Sequence, residues 1–106
     1  MPKYLIQASY TQDGVAGVLA KGGSSRRDAI AQMTSAAGGQ LESFYFGFGE
    51  SDVWVIVELP DNEAAAAVVM TVNAAGGAAV NTTVLLTPEQ VDEAAQRSVN
   101  YRPPGS

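Results

Sequence analysis

The side chains able to transfer protons in this 106-residue sequence are carboxylates and tyrosines, because it contains no histidine and no cysteine. Three of them, Tyr45, Asp52 and Glu58, lie in a predicted β-hairpin between residues 40 and 59. A well-positioned carboxylate or phenol can donate a proton to a reacting group or accept one from it. We therefore predict Glu58, Tyr45 and Asp52 as candidate catalytic residues.

Each of these residues also has a structural interpretation. Glu58 could pair with Lys3 at the edge of a sheet, and Asp52 could accept backbone N–H bonds that hold a tight turn. Tyr45 could serve as an aromatic packing residue. Glu50 and Asp52 lie two residues apart without a third ligand, so they are a weak signal for a metal ion. We predict no metal and no cofactor.

The missing residue types exclude several reaction classes. Without histidine there is no Ser-His-Asp triad, and the usual haem and zinc ligands are absent. Without cysteine there is neither a disulfide nor a thiolate nucleophile. Paired glycines follow predicted helices, whereas phosphate-binding glycine loops precede a helix. Lys21, Arg26 and Arg27 could bind an anionic ligand, although a solvated helix face also explains them.

The composition predicts one globular domain. Hydrophobic residues make up 46% of the chain and charged residues 16%, which argues against disorder. Eleven acidic residues outnumber six scattered basic ones, so we expect no binding to nucleic acid. No segment approaches the roughly 18 to 20 apolar residues that span a bilayer. We therefore predict a soluble, cytoplasmic protein without membrane contact.

Alternating and helical patterns predict the order of secondary structure. A first strand over residues 3–10 is followed by a helical crossover that is interrupted at Gly22-Gly23, with Ser24 or Ser25 as the cap of its second part. The hairpin follows, and Asp61 is a good N-cap for the alanine-rich helix after it. A strand over residues 79–86 leads to Thr87-Pro88-Glu89-Gln90, a capping box that predicts a short helix.

This order, βαββαβ plus a C-terminal helix, predicts an α+β ferredoxin-like fold. Both long helices should cover one face of a four-stranded antiparallel sheet whose first and third strands are central. We expect a single domain over residues 1–98 and an extended tail over residues 99–106.

One face of the sheet should remain uncovered by helices. In the third strand we assign Val53, Val55, Val57 and Leu59 to the helix side. In the second strand two sets of side chains could face the helices, because one bulge residue would exchange them. The first set is Phe44, Phe46 and Phe48, and the second is Leu41, Ser43 and Tyr45. The predicted open face carries Leu5, Gln7, Ser9, Trp54, Ile56, Glu58, Asn81, Thr83 and Leu85.

An apolar open face of this kind predicts a homodimer in which two sheets face each other. Such an interface would disfavour the charged form of Glu58 and make it a proton donor or base. The polar groups enclosed there also need partners or water. We predict six ligand-binding candidates on this face: Gln7, Ser9, Trp54, Ile56, Asn81 and Thr83.

Several segments resemble the GYD-domain family, and the resemblance runs over essentially the whole chain. These segments are MPKYLIQASYTQDGV, FYFGFGESDVWVIVELPDN, TTVLLTPEQVDEAA and NYRPPG. At the hairpin the family carries a Gly-Tyr-Asp motif, and this chain has Gly49-Glu50-Ser51-Asp52, with Ser51 where tyrosine is expected. The resemblance implies a dimeric α+β barrel. Related barrels include cofactor-independent monooxygenases, small isomerases, haem enzymes and ligand-sensing domains.

Three functions follow as hypotheses. The first is a non-catalytic homo-oligomer that binds a small, largely apolar molecule between the sheet and the helices or inside the barrel. The second is a cofactor-independent enzyme, similar to a monooxygenase or an isomerase, that acts on a small organic substrate. The third is an assembly protein whose dimers associate through the C-terminal helix and tail.

Overall fold

The computed structural model describes residues 1–105 and contains four strands and four helices. The predicted tail has neither helix nor strand over residues 99–105, and Ser106 lies outside the described residues. The elements in chain order are β1 (Lys3–Tyr10), α1 (Gln12–Lys21), α2 (Gly23–Ala36), β2 (Gln40–Phe46), β3 (Val53–Glu58), α3 (Asn62–Ala75), β4 (Ala78–Leu85) and α4 (Pro88–Gln96).

The sheet has the strand order β2-β3-β1-β4, and every neighbouring pair is antiparallel. The first and third strands are therefore central, as the sequence predicted. Together with the four helices, this arrangement confirms the α+β ferredoxin-like fold with an extra C-terminal helix. None of the described helices is both long and apolar enough to cross a membrane.

The hydrophobic core lies between the sheet and the helices. In β3 the valines are buried and the intervening residues are more exposed, which is the period-two pattern of a strand with one covered face. The phenol of Tyr4 is buried there and donates a hydrogen bond to Asn62 Oδ1 at 2.7 Å. The cluster of buried core residues consists of Tyr4, Val53, Val55, Val57, Leu59, Ala65 and Val68.

A bulge in β2 decides which side chains of this strand face the helices. The register shifts between Leu41, which lies opposite Val57, and Ser43. After the shift Phe44 lies opposite Val55, so Leu41 and Phe44 share the helix side although their sequence positions differ in parity. The bulge considered from the sequence is therefore present, and Tyr45 lies on the open face.

Local capping signals explain most helix starts. Thr11, Asp61 and Thr87 accept a hydrogen bond from a backbone N–H of the first helical turn, and Thr87 forms the predicted capping box. The predicted serine cap of α2 is wrong. Gly22, at φ 88°, ends α1, and its N–H donates a hydrogen bond to Val18 O. The same glycine is the N-cap of α2. Ser24 and Ser25 therefore lie inside the first turn of α2.

Two glycines of α1 have opposite surroundings. A Cβ built on Gly14 would lie 2.0 Å from the carbonyl oxygen of Gly77, whereas a Cβ on Gly17 meets no atom within 4 Å. We expect Gly14→Ala to lower the free energy of unfolding by about 1–3 kcal/mol through overpacking. Gly17→Ala should raise it by up to about 1 kcal/mol through helix propensity.

Urea unfolding of both variants measures the difference between these two sites. Equal effects of the two substitutions would contradict the close approach of α1 to the segment between α3 and β4.

The C-terminal part of the chain is exposed throughout the described residues. Every residue from Pro88 to Gly105 is exposed, including Val91 at 51% and Tyr101 at 71%. The radius of gyration is 16.8 Å, whereas a compact domain of this length has about 13 Å. The apolar side chains of α4 and the tail are therefore available for contact with another molecule.

Candidate functional site

A groove of about 510 Å³ lies on the helix side of the molecule, between α1, α2 and the second half of α3. Its volume is in the range of about 300–1,000 Å³ that small-molecule sites occupy. Most of its wall consists of glycine, alanine and the apolar side chains of Val18, Met33 and Val72. Its polar lining residues are Tyr10, Asp13, Lys21, Ser25, Arg26 and Thr71.

Small residues on three helices leave this space open. Gly17 of α1, Ala29 of α2 and Ala75 of α3 all line the groove. Gly22, which connects α1 and α2, also lines it, and a Cβ added to this glycine would meet no atom within 4 Å. Because none of these residues carries a side chain beyond Cβ, the three helices meet without filling the space between them.

A second cavity, of about 50 Å³, lies deeper between the sheet and the helices. It is far smaller than a typical ligand site. Its wall includes core residues such as Val55, Val57 and Leu59. The space directly beneath the helices is thus largely occupied by the protein's own side chains, and the groove is the roomier of the two cavities.

Tyr10 and Arg26 line both the groove and the deeper cavity. Burial raises the pKa of the Tyr10 phenol, and the hydrogen bonding and charge of Arg26 oppose that shift. Arg26 is partly buried, and no carboxylate of the described residues lies within 4.0 Å of its guanidinium. The boundary between the two cavities therefore combines a phenol with a cation that forms no ion pair.

The six predicted ligand-binding residues do share one face, which is the open face of the sheet. Gln7 of β1 lies between Trp54 of β3 and Asn81 of β4, and Leu5 lies between Ile56 and Thr83. Ser9, the remaining member of the set, follows on the same side of β1. Trp54 is 40% exposed. The shared face is as the sequence predicted, the role of these residues in ligand binding stays a prediction, and the groove lies on the opposite side of the sheet.

The three catalytic candidates are not brought together. Tyr45 lies opposite Trp54, and Glu58 is four residues further along β3, a separation of about 13 Å along the strand. Glu58 accepts a hydrogen bond from the Gln40 side chain and lies 4.0 Å from Lys3 Nζ. Neither of the two cavities is lined by Glu58, Tyr45 or Asp52.

Asp52 holds the hairpin turn against the end of β1. Its Oδ2 accepts a hydrogen bond from the backbone N–H of Tyr10 at 2.8 Å, and its own N–H donates to Ala8 O at 2.9 Å. Ser51 is buried and donates from its hydroxyl to Gln7 Oε1 at 3.3 Å. Asp52 thus accepts a backbone N–H bond, as its structural interpretation required, but the donor belongs to β1 and not to the hairpin turn. Within residues 1–105 no group of three or more acidic side chains could hold a metal ion.

The family model of the GYD domain matches residues 4–95, from the first strand into the last helix. The chain belongs to the GYD-domain family. In this GYD domain Ser51, at the position where the family motif has tyrosine, is a buried turn residue that hydrogen-bonds the first strand. No curated protein matches the chain, and no solved structure does.

The sequence indicated a possible anion site at Lys21, Arg26 and Arg27, and the groove of this GYD domain contains Lys21 and Arg26, whereas the predicted ligand-binding residues lie on the open face. The available signals were the glycines of α1 and the basic residues around Gly22. Helical spacing does separate the two arginines: Arg26 precedes Ile30 by four residues and Met33 by seven, on the same stripe, whereas Arg27 is turned about 100° away from it. The structure separates them: Arg26 lines the groove, whereas Arg27 pairs with the neighbouring Asp28 at 3.2 Å.

Proposed function

We propose that this GYD domain is a homodimer that binds a small, largely apolar molecule in the helix-side groove. The groove supports this proposal, since it combines a volume of about 510 Å³ with a mainly apolar wall and a few polar groups. An apolar wall of this kind can bury the body of a ligand, and the polar groups of the groove can orient that ligand.

The open face of the sheet supports the dimer. Leu5, Ile56 and Leu85 are only partly buried, and Trp54 is 40% exposed. A second copy facing this sheet would remove these apolar groups from water. The exposed α4 and tail offer further apolar contacts in the same assembly. Because the groove lies on the other side of the sheet, dimerisation leaves it accessible.

The enzymatic alternative stays a hypothesis about the open face. Glu58, Tyr45 and Asp52 line neither the groove nor the deeper cavity. A proton transfer by these residues would therefore need a substrate site formed together with a partner subunit. Ligand binding in the groove has no such requirement, and for this reason we favour it.

Binding of the neutral fluorescent probe N-phenyl-1-naphthylamine tests the groove. Wild-type protein should enhance its emission in a saturable way. Ala75→Phe introduces a ring into the groove, because Ala75 is one of its lining residues. We expect this substitution to weaken probe binding by about tenfold, which corresponds to about 1.4 kcal/mol.

Ala74→Phe is the matched control, because Ala74 is exposed on the same helix and does not line the groove. It should leave the probe's affinity unchanged. If both variants bind the probe as wild type does, the groove is not the binding site.

A further inference from the structure

We infer that the ligand of the groove is a small apolar acid whose single anionic group binds Arg26. This inference rests on the proposed function of the groove and specifies the chemical class of its ligand. The acid could be a carboxylate or a sulfonate, since both offer oxygen acceptors to a guanidinium.

Arg26 differs from the other arginines of the described residues. It alone is partly buried, whereas Arg27, Arg97 and Arg102 are exposed. Arg27 pairs with Asp28 at 3.2 Å, and Arg97 pairs with Glu93 at 2.8 Å. Arg26 has lost part of its hydration without gaining a carboxylate partner, and partial desolvation of an unpaired charge is unfavourable. An anionic ligand in the groove would offset that cost.

The local charge of the groove is opposite to that of the whole chain. Its charged lining residues are Lys21 and Arg26 against Asp13, so two positive charges minus one negative charge give +1. The whole chain has a net charge of −5. The groove is therefore a local positive site on an acidic protein, and its charge matches a ligand with one negative group.

Tyr10 supplies a second donor at the same end of the groove. A phenol is protonated at neutral pH and can donate a hydrogen bond to an acidic oxygen, and burial, which raises the pKa of Tyr10, favours that form further. Val18, Met33 and Val72 form the wall that would contact an apolar body. Cationic and phenolic donors beside an apolar wall are the features that an apolar acid requires.

Two probes with the same aromatic skeleton separate charge from hydrophobicity. They are 8-anilinonaphthalene-1-sulfonate and N-phenyl-1-naphthylamine, which differ by the sulfonate group. We expect Arg26→Gln to weaken binding of the sulfonate about tenfold and to change binding of the neutral probe less than twofold. Arg27→Gln removes the same charge from the neighbouring position outside the groove, and it should change neither affinity.

The outcomes distinguish this inference from the proposed function. If Arg26→Gln changes the affinity for both probes equally, or for neither, the ligand is not an acid that binds Arg26. The groove is still supported in that case if Ala75→Phe weakens binding of the neutral probe. If wild-type protein binds neither probe, both proposals are wrong.

A competition experiment on wild-type protein is independent of whether the Arg26 variant folds. In that experiment 1-naphthoate should displace N-phenyl-1-naphthylamine at concentrations about tenfold lower than 1-naphthamide, its neutral analogue. Equal displacement by the two compounds would overturn the acid class.

Discussion

Ile56→Lys is expected to convert the proposed homodimer into a monomer at micromolar protein concentration. Ile56 lies on the open face of the central strand β3, between Leu5 of β1 and Ser43 of β2. In the proposed dimer a lysine at this position would carry its charge into an apolar interface, and burial of an unpaired charge is costly. We expect the dissociation constant to rise at least about 100-fold, or about 2.7 kcal/mol.

Sedimentation velocity over a range of protein concentrations measures this change. Met70→Lys is the matched control, because Met70 is 70% exposed on α3, on the other side of the molecule. It makes the same change of charge outside the proposed interface and should leave the proposed dimer intact. A wild-type monomer at all concentrations, or equal dissociation of both variants, would contradict association through the open face.

Leu59→Ala is expected to lower the free energy of unfolding by about 2–5 kcal/mol, the usual cost of removing a fully buried leucine side chain. Leu59 has 0% exposure and belongs to the core cluster with Tyr4 and Val57. Its backbone N–H donates to Pro2 O at 3.1 Å, so the chain is held in place there and cannot easily close the resulting void. This loss is a large share of the roughly 5–15 kcal/mol that typically stabilises a domain.

Leu19→Ala is the control for this measurement, since Leu19 is 82% exposed on α1. It removes the same atoms from the surface and should change the free energy of unfolding by less than about 0.5 kcal/mol. Urea unfolding should be followed at one fixed protein concentration, because dimerisation would contribute to apparent stability. Similar losses in both variants would contradict the position of Leu59 in the core.

Dimerisation and ligand binding are proposed for opposite sides of the sheet. The open face carries the apolar side chains that a second copy would cover, and the helix side carries the groove. Substitutions on one side should therefore leave the property of the other side unchanged. Ile56→Lys should retain probe binding if the monomer stays folded, which separates assembly from ligand binding.

Local signals in the sequence were sufficient for the fold. The capping box at Thr87 and the N-cap at Asp61 act within one helical turn, so neighbouring residues alone determine them. The alternation in β3 likewise reflects a strand with one covered face. Given the order of these elements, handedness and connection rules leave few topologies, and the ferredoxin-like arrangement follows.

The tertiary structure decided the features that depend on contacts between distant segments. The bulge between Leu41 and Ser43 is a matter of pairing with β3, and Asp52 accepts its hydrogen bond from Tyr10, 42 positions earlier. The groove is built from three helices that meet only in the folded chain. The helical period places Arg26 and Arg27 about 100° apart around α2, but that Arg26 borders a groove follows only from the folded chain.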